Sequence, residues 1–321
     1  MERKYTIQGG AGKMEGKIAG LPETEYFASG HNACFGCGMA VIARIVAKAG
    51  GKNAIFCNAT GCLEVVSTLY PRTAWKVPWI HSAFENVAAL ASGIDSSLKA
   101  QGTRDKVNLI AMAGDGGTFD IGLQALSGAF ERGHKMCYVC YDNQSYANTG
   151  VQRSGSTMKY TETTTTPHGS LIHGKKEWQK PLAMILAAHG AKYIATASPA
   201  YHLDLFNKVQ KALSINGPTF IHVISPCIIG WKHESDDAIN LARLAVKTNI
   251  FPLYEIENGS LKISFKNSNP EPVIKYLERQ GRFKNLNEQE KEYLQKRTDE
   301  IWKYLNDLEA KGQIFLPTID W

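Results

Sequence analysis

The stretch VNLIAMAGDGGTFDIGLQALSGAFERGHKMCYVCYDN, residues 107–143, decides the fold. Its first part is an apolar run that goes straight into glycines, the pattern of a buried strand. IGLQALSGAFERG (121–133) spaces its apolar residues as a helix does and stops at a glycine. KMCYVCYDN (135–143) reads as the next strand. A strand, a helix and a strand in this order form one unit of a parallel sheet, so Gly114 and Asn143 fall at the same sheet edge.

The same alternation continues on both sides. Upstream, MAVIARIVAKAG (39–50) predicts a helix, NAIFCNAT (53–60) a short buried strand and FENVAALASGIDSSLKA (84–100) an amphipathic helix. Downstream come a helix near 179–189, the strand AKYIATA (191–197), a helix near 202–214, the strand PTFIHVISPC (218–227) and a helix near 236–248. The expected class is α/β, a mostly parallel sheet with helices on both faces. YEIENGSLKISF (254–265) predicts a hairpin around Asn258–Gly259, and the charged run 287–312 a terminal helix, together a C-terminal appendage. The expected organisation is an N-terminal arm over 1–30, the α/β domain over 31–250 and the extension over 251–321. TETTTTPHGS (161–170) reads as a loop, placed after the cofactor motif where a lid could sit.

Composition narrows the class. Hydrophobic content of 44% and charged content of 21% fit an ordinary globular chain. A net charge of +6, with both signs interspersed, gives no basic stripe for nucleic acid. No segment approaches the roughly 20 apolar residues of a membrane helix. The opening residues lack the apolar core of a secretion signal. Seven cysteines without such a signal point to a cytoplasmic setting and to metal or redox use.

Two constellations carry chemistry. In the first, Gly114, Gly116 and Gly117 let backbone N–H groups approach phosphate oxygens at a helix start, and Asp115 offers a hard carboxylate oxygen. One strand later, Asn143 adds an amide oxygen and Ser145 a backbone carbonyl, a donor set for octahedral magnesium. Gln144, Tyr146 and Asn148, in the same loop, are counted with this site. A turn after a strand would explain Gly-Asp-Gly alone; it does not explain the second half. In the second constellation, Cys34, Cys37, Cys62 and Cys227 are a CxxC pair and two thiols at strand ends, four corners for one iron–sulfur cluster or one zinc. Cys137 and Cys140, three apart on a strand, face opposite ways and read as buried hydrophobes, as does Cys57.

These residues resemble the thiamine-diphosphate enzymes, whose signature is GDG, about thirty residues, then Asn. More specifically, CFGCG, NATGCLEV, TAWKVPWIHSAFEN, GDGGTFDIGLQALSGAFERGH, YDNQSYANTGVQRS, SPC and FPLYEIENG resemble the β subunits of the pyruvate:ferredoxin oxidoreductase (pyruvate synthase) family over most of residues 30–290. The resemblance implies a thiamine-diphosphate-binding fold with Mg²⁺ on Asp115, the Asn143 side chain and the Ser145 backbone. It implies one [4Fe-4S] cluster on Cys34, Cys37, Cys62 and Cys227. Asn148 would point toward the thiazolium and the substrate, and Met39 and Cys62 would border the cofactor. The implied activity is oxidative decarboxylation of pyruvate, or another 2-oxoacid, with electrons passing through the cluster to ferredoxin and the acyl group to coenzyme A.

The resemblance also implies partners: an α-type subunit completing the thiamine site, and a ferredoxin-like subunit or domain. The sequence offers no compelling glutamate for the cofactor's aminopyrimidine. Glu85 reads better as a helix-start carboxylate, and His81 as a pocket residue or a helix cap. The isolated chain, reconstituted with cofactor and cluster, is therefore expected to turn over no pyruvate in an acceptor-coupled assay; turnover by the chain alone would contradict this.

Overall fold

The computed structural model describes residues 16–315. Of the expected arm, residues 1–15 lie outside the described residues. From Gly16 onward it forms a small ladder, β1 (Lys17–Ile18) against β2 (Leu21–Pro22). Phe27 then enters the core, its ring 4.9 Å from that of Trp75.

The remaining strands are β3 (Ala54–Ala59), β4 (Trp79–Ser82), β5 (Asn108–Gly114), β6 (Met136–Asp142), β7 (Tyr193–Ala197), β8 (Pro218–Ile224), β9 (Tyr254–Glu257) and β10 (Ser260–Ile263). They make one sheet in the order β10–β9–β7–β8–β6–β5–β3–β4. All neighbours from β4 to β7 are parallel. The C-terminal hairpin, expected as an appendage, is hydrogen-bonded into the sheet: β9 runs antiparallel to β7, pairing Ile256 with Ile194.

The helices are α1 (Gly38–Gly50), α2 (Cys62–Ser67), α3 (Val87–Ala100), α4 (Leu123–Glu131) and α5 (Leu182–Ala188). They continue with α6 (His202–Ser214), α7 (Ile228–Trp231), α8 (Ala238–Lys247), α9 (Ile274–Leu277) and α10 (Glu288–Lys311). Covering both faces makes the strands apolar on both sides, which is why they read as continuous hydrophobic runs. Ile42 and Val46 of α1, Leu63 of α2 and Val209 of α6 pack on Phe56, Ile110, Val139 and Ile221. On the opposite face, Ala88 of α3, Leu126 of α4, Leu186 of α5 and Leu305 of α10 pack on Ala111, Tyr138 and Phe220. Cys137 joins the first layer and Cys140 the second, so the strand pleat separates them. A third cluster joins Trp231, Leu241, Tyr276 and Leu294 beside the sheet.

Parallel pairing brings the carboxyl ends of β3, β5, β6 and β8 to one edge. The chain leaves β3 toward α2 on one face and leaves β5 toward α4 on the other. Loops that diverge in this way open a crevice at the strand ends. Ile221, fully buried in β8, holds two of these strands in place. Ile221→Ala is expected to cost about 2–5 kcal/mol through lost apolar contact and the cavity left behind, read by urea unfolding.

Candidate active site

The crevice holds a cavity of about 170 Å³ lined by Thr60, Gly61 and Cys62 after β3, Gly114 and Gly116 at the end of β5, and Tyr141, Asn143 and residues 145–149 around the end of β6, with Phe84 closing one side. Of the residues singled out in the sequence, Cys62, Gly114, Gly116, Asn143, Ser145, Tyr146 and Asn148 line it. Four do not. Asp115 is fully buried behind the wall. Gly117 packs under Phe84, where a Cβ would come 3.1 Å from the Phe84 carbonyl oxygen. Gln144 turns away, its Oε1 accepting from Arg282 Nη2 at 2.8 Å. Met39 sits in the core under α1. His81 is exposed and bonds Thr60 Oγ1 at 2.7 Å; it does not cap α3. Glu85 precedes α3 and lies off the cavity wall.

The cavity is built to admit a ligand close to backbone. A Cβ on Gly116 would come 2.6 Å from the Tyr146 ring, so only glycine permits that aromatic wall. Gly116–Asp120 forms a short π-helical turn, which widens the start of the helical segment beside the cavity. The Tyr141 hydroxyl is buried on the cavity wall without a hydrogen-bond partner. The Ser225 hydroxyl, two residues before Cys227, is likewise buried and unpartnered.

Two carboxylates lie at the ends of adjacent strands. Asp115 Oδ1 accepts from the N–H of Asn143 at 3.2 Å and Oδ2 from Ser154 Oγ at 2.5 Å. Asp142 Oδ1 accepts from the N–H of Gln144 at 2.8 Å, and its Oδ2 meets Ser156 Oγ and, at 2.6 Å, His222 Nε2. Burial first, then the charge of Asp142, pushes the Asp115 carboxyl well above its ordinary value, against the pull of Ser154. The Asn143–Ser145 turn is held from outside: Trp231 Nε1 donates to the Asn143 carbonyl at 2.8 Å, and Arg282 stacks on Trp231 at 4.1 Å. Gln144 takes a φ of +63° within this turn.

The four cysteines gather beside the cavity. The Cys34–Cys37 loop is clamped by the N–H of Gly38 on the Pro226 carbonyl at 3.2 Å. Gly36 has a φ of +76°, and a Cβ there would fall 1.8 Å from the Ser235 carbonyl oxygen, so the loop needs glycine. Cys37 precedes α1, Cys62 opens α2, and Cys227 caps α7, accepting from the N–H of Gly230 at 3.4 Å. Burial pushes the Cys62 thiol up to about 12, with further contributions from Cys227, Cys37 and Cys34. Burial and the same neighbours bring Cys227 to about 11. No three of these sulfurs lie within 4.8 Å of one another.

Ser154, Ser156, Asp142, Tyr141, Thr60, Arg282 and Trp231 were not singled out in the sequence. His222 carried a signal, a single imidazole in the apolar strand PTFIHVI.

A raised carboxyl pKa gives a signed expectation. The unfolded Asp115 titrates near 4, so the cost of its burial is absent below that pH and grows as pH rises toward the folded value. A tenfold difference in acid strength between folded and unfolded chain corresponds to about 1.4 kcal/mol. In the metal-free chain, Asp115→Asn is expected to raise Tm at pH 8 and to change it little near pH 4; added Mg²⁺ and thiamine diphosphate raise Tm in the parent and not in the variant.

Residues 59–223 match the family described as thiamine pyrophosphate enzyme, C-terminal TPP binding domain. The pyruvate synthase subunit PorB of Methanocaldococcus jannaschii is 52% identical over 291 residues, 89% of this chain and 98% of the relative. The ketoisovalerate oxidoreductase subunit VorB of Pyrococcus furiosus is 44% identical, covering 90% and 94%. The solved 2-oxoglutarate:ferredoxin oxidoreductase from Magnetococcus marinus shares the fold, with a TM-score of 0.55 and 19% identity over 68% of this chain and 79% of that one. The chain belongs to the thiamine-diphosphate-dependent 2-oxoacid:ferredoxin oxidoreductases, as a β subunit of the PorB type.

Proposed function

We propose that this β subunit serves a pyruvate synthase, holding thiamine diphosphate through Mg²⁺ and one [4Fe-4S] cluster on four cysteines. The observation that carries the proposal is the position of Cys62, which lines the cavity and interacts electrostatically with Cys34, Cys37 and Cys227. A single residue on the wall of both sites makes the path from cofactor to cluster short.

The residues fit the groups. Asp115 is a buried carboxylate without a cation partner that accepts from the Asn143 N–H, and the Asn143 amide oxygen accepts from Ser145 Oγ; this carboxylate, that amide oxygen and the Ser145 carbonyl are oxygen donors of the kind that suits Mg²⁺. Four thiolates suit an iron–sulfur cluster as well as zinc, and membership of a redox family supports the cluster. When bound, thiamine diphosphate supplies the carbanion and the electron sink for decarboxylation. Ser154 and Ser156 fix the two carboxylates, Trp231 and Arg282 fix the turn that presents Asn143, and Phe84 and Tyr146, whose rings meet edge to face at 5.7 Å, exclude water. Asn148, on the exposed rim, is placed to meet the substrate.

The reading includes an α-type subunit that completes the cofactor site. The cavity of about 170 Å³ is smaller than the roughly 300–1,000 Å³ of ordinary cofactor sites, and no glutamate lines it. Exposed Leu69, Tyr70 and Ile80 give the neighbouring surface an apolar character suited to a partner. A ferredoxin-like subunit or domain and ferredoxin would take electrons, and coenzyme A the acyl group. Among the described residues no helix is long and apolar enough to cross a membrane, and a cytoplasmic enzyme is the setting proposed.

Pyruvate is favoured because PorB relatives of methanogens reach 49–52% identity, although within Pyrococcus furiosus PorB at 45% and VorB at 44% do not separate the two substrates. The test is anaerobic EPR on the complex purified with its natural partners. Pyruvate is expected to produce a reduced-cluster signal, and 2-ketoisovalerate a much weaker one. Reversal of that order would overturn the substrate, and zinc in place of iron would overturn the cluster.

A further inference from the structure

We propose that His168, His173 and Glu290 form a separate site for one divalent zinc-class cation, which staples the loop after the cofactor motif to the C-terminal helix. The three donor atoms lie within 4.8 Å of one another, a grouping found nowhere else among the histidine, cysteine and acidic side chains of the described residues. No residue is shared with the cavity or with the four cysteines.

The two histidines face each other by register. His168 and His173 pair across an antiparallel bridge, and their rings are 4.9 Å apart. Gly169 N–H bonds the Ile172 carbonyl at 2.7 Å and closes the turn between them. Glu290 comes from the first turn of α10, 117 residues beyond His173. It is 6% exposed, and its Oε2 is fixed by the N–H of Asn287 at 2.9 Å. Its Oε1 lies 2.7 Å from His173 Nδ1.

His168 Nε2 is the telling atom. It is buried and has no hydrogen-bond partner. A buried imidazole nitrogen without a partner costs about 1–3 kcal/mol, which a metal bond would offset. Two imidazoles and a carboxylate are a zinc donor set; magnesium and calcium prefer oxygen alone. Tetrahedral bonds of about 2.0–2.1 Å place donors about 3.3 Å apart, so small side-chain movements gather the three. To coordinate, His173 frees Nδ1 of the proton it shares with Glu290 and remains a neutral imidazole with its proton on Nε2, and water completes the coordination.

The staple would act on the cofactor side through the backbone. The N–H of Lys175 bonds the Thr161 carbonyl at 3.1 Å, and the Tyr160 N–H bonds the Lys175 carbonyl at 2.7 Å. Lys175 Nζ donates to the Thr157 carbonyl at 2.7 Å. This ladder leads to Ser154 and Ser156, the hydroxyls on the buried carboxylates. A cation at its far end would stiffen the whole segment.

The experiment uses the intact, iron-loaded complex prepared without a polyhistidine tag, stripped with a mild chelator and titrated with Zn²⁺ under anaerobic conditions. About one zinc per β chain is expected beyond the iron complement, with affinity falling at least about tenfold in both His168→Ala and His173→Ala. Because His168 and His173 are partly exposed loop residues, both variants are expected to retain iron and thiamine diphosphate, which is measured in parallel. Co²⁺ added to the parent complex supplies a second readout, a visible absorption band that both variants lose. The proposal is overturned if the parent binds no zinc at micromolar concentration, or if the zinc or the cobalt band persists in both variants.

Discussion

A carboxylate sealed inside the protein is the constraint on which the rest of the site depends. Asp115 has no solvent exposure, and Asp142, on the neighbouring strand end, has 1%. Buried charge is tolerated only with hydrogen bonds or a counter-ion. The structure answers with the N–H groups of Asn143 and Gln144, the hydroxyls of Ser154 and Ser156, and the imidazole of His222. The serines can reach only if the chain doubles back after β6. It does so through the Tyr146–Gln152 bridge, with Val151 at a φ of +64°. The course of residues 143–157 is thus set by the needs of two carboxylates.

The parallel sheet does the complementary work for sulfur. Cys62 and Cys227 follow β3 and β8, and Cys34 and Cys37 reach the same edge because their loop is tied to Pro226. Three of the four stand at helix starts, where backbone N–H groups favour a negative ligand. Burial alone disfavours the thiolate, as the raised values of Cys62 and Cys227 show. A metal centre reverses that balance, since a bound thiol is held deprotonated.

Much of this was legible in the sequence because it depends on local pattern. The strand–helix–strand period placed Gly114 and Asn143 at one edge, and all four cysteines fell at predicted strand or helix boundaries. The opposite faces of Cys137 and Cys140 followed from the pleat. Contacts made at long range were not legible. Arg282 reaches Gln144 across 138 residues, and Ser154 reaches Asp115 across 39. Nothing in GVQRSGST marks two serines as carboxylate ligands. Gln144 and Met39 were expected at the cofactor, Met39 through the family resemblance, and neither lines the cavity. At a φ of +63° the Gln144 side chain swings to Arg282, while Met39 lies on the buried face of α1. The hairpin read as an appendage because its sequence shows only its own turn. Its pairing with β7 depends on the unsatisfied edge of a strand some sixty residues earlier.

The positions of Cys62 and Phe35 give the proposed electron path a direction. Cys62 is on the cavity wall, whereas Phe35, between Cys34 and Cys37, is 90% exposed. A cluster held by these cysteines would have one side against the cavity and the other under a thin surface loop. That loop borders a second concavity lined by Val41, Ile239, Arg44, Glu25 and Asp236, with Arg44 ion-paired to Glu25 at 2.5 Å. The same loop is tied down by the Gly38 N–H on the Pro226 carbonyl and runs so close to the Ser235 carbonyl that position 36 admits no Cβ. In the proposed arrangement, rigidity there would keep the four thiols in register, and exposure there would let an electron leave. The CFGCG turn serves both requirements by being tight at its backbone and open at its one aromatic side chain.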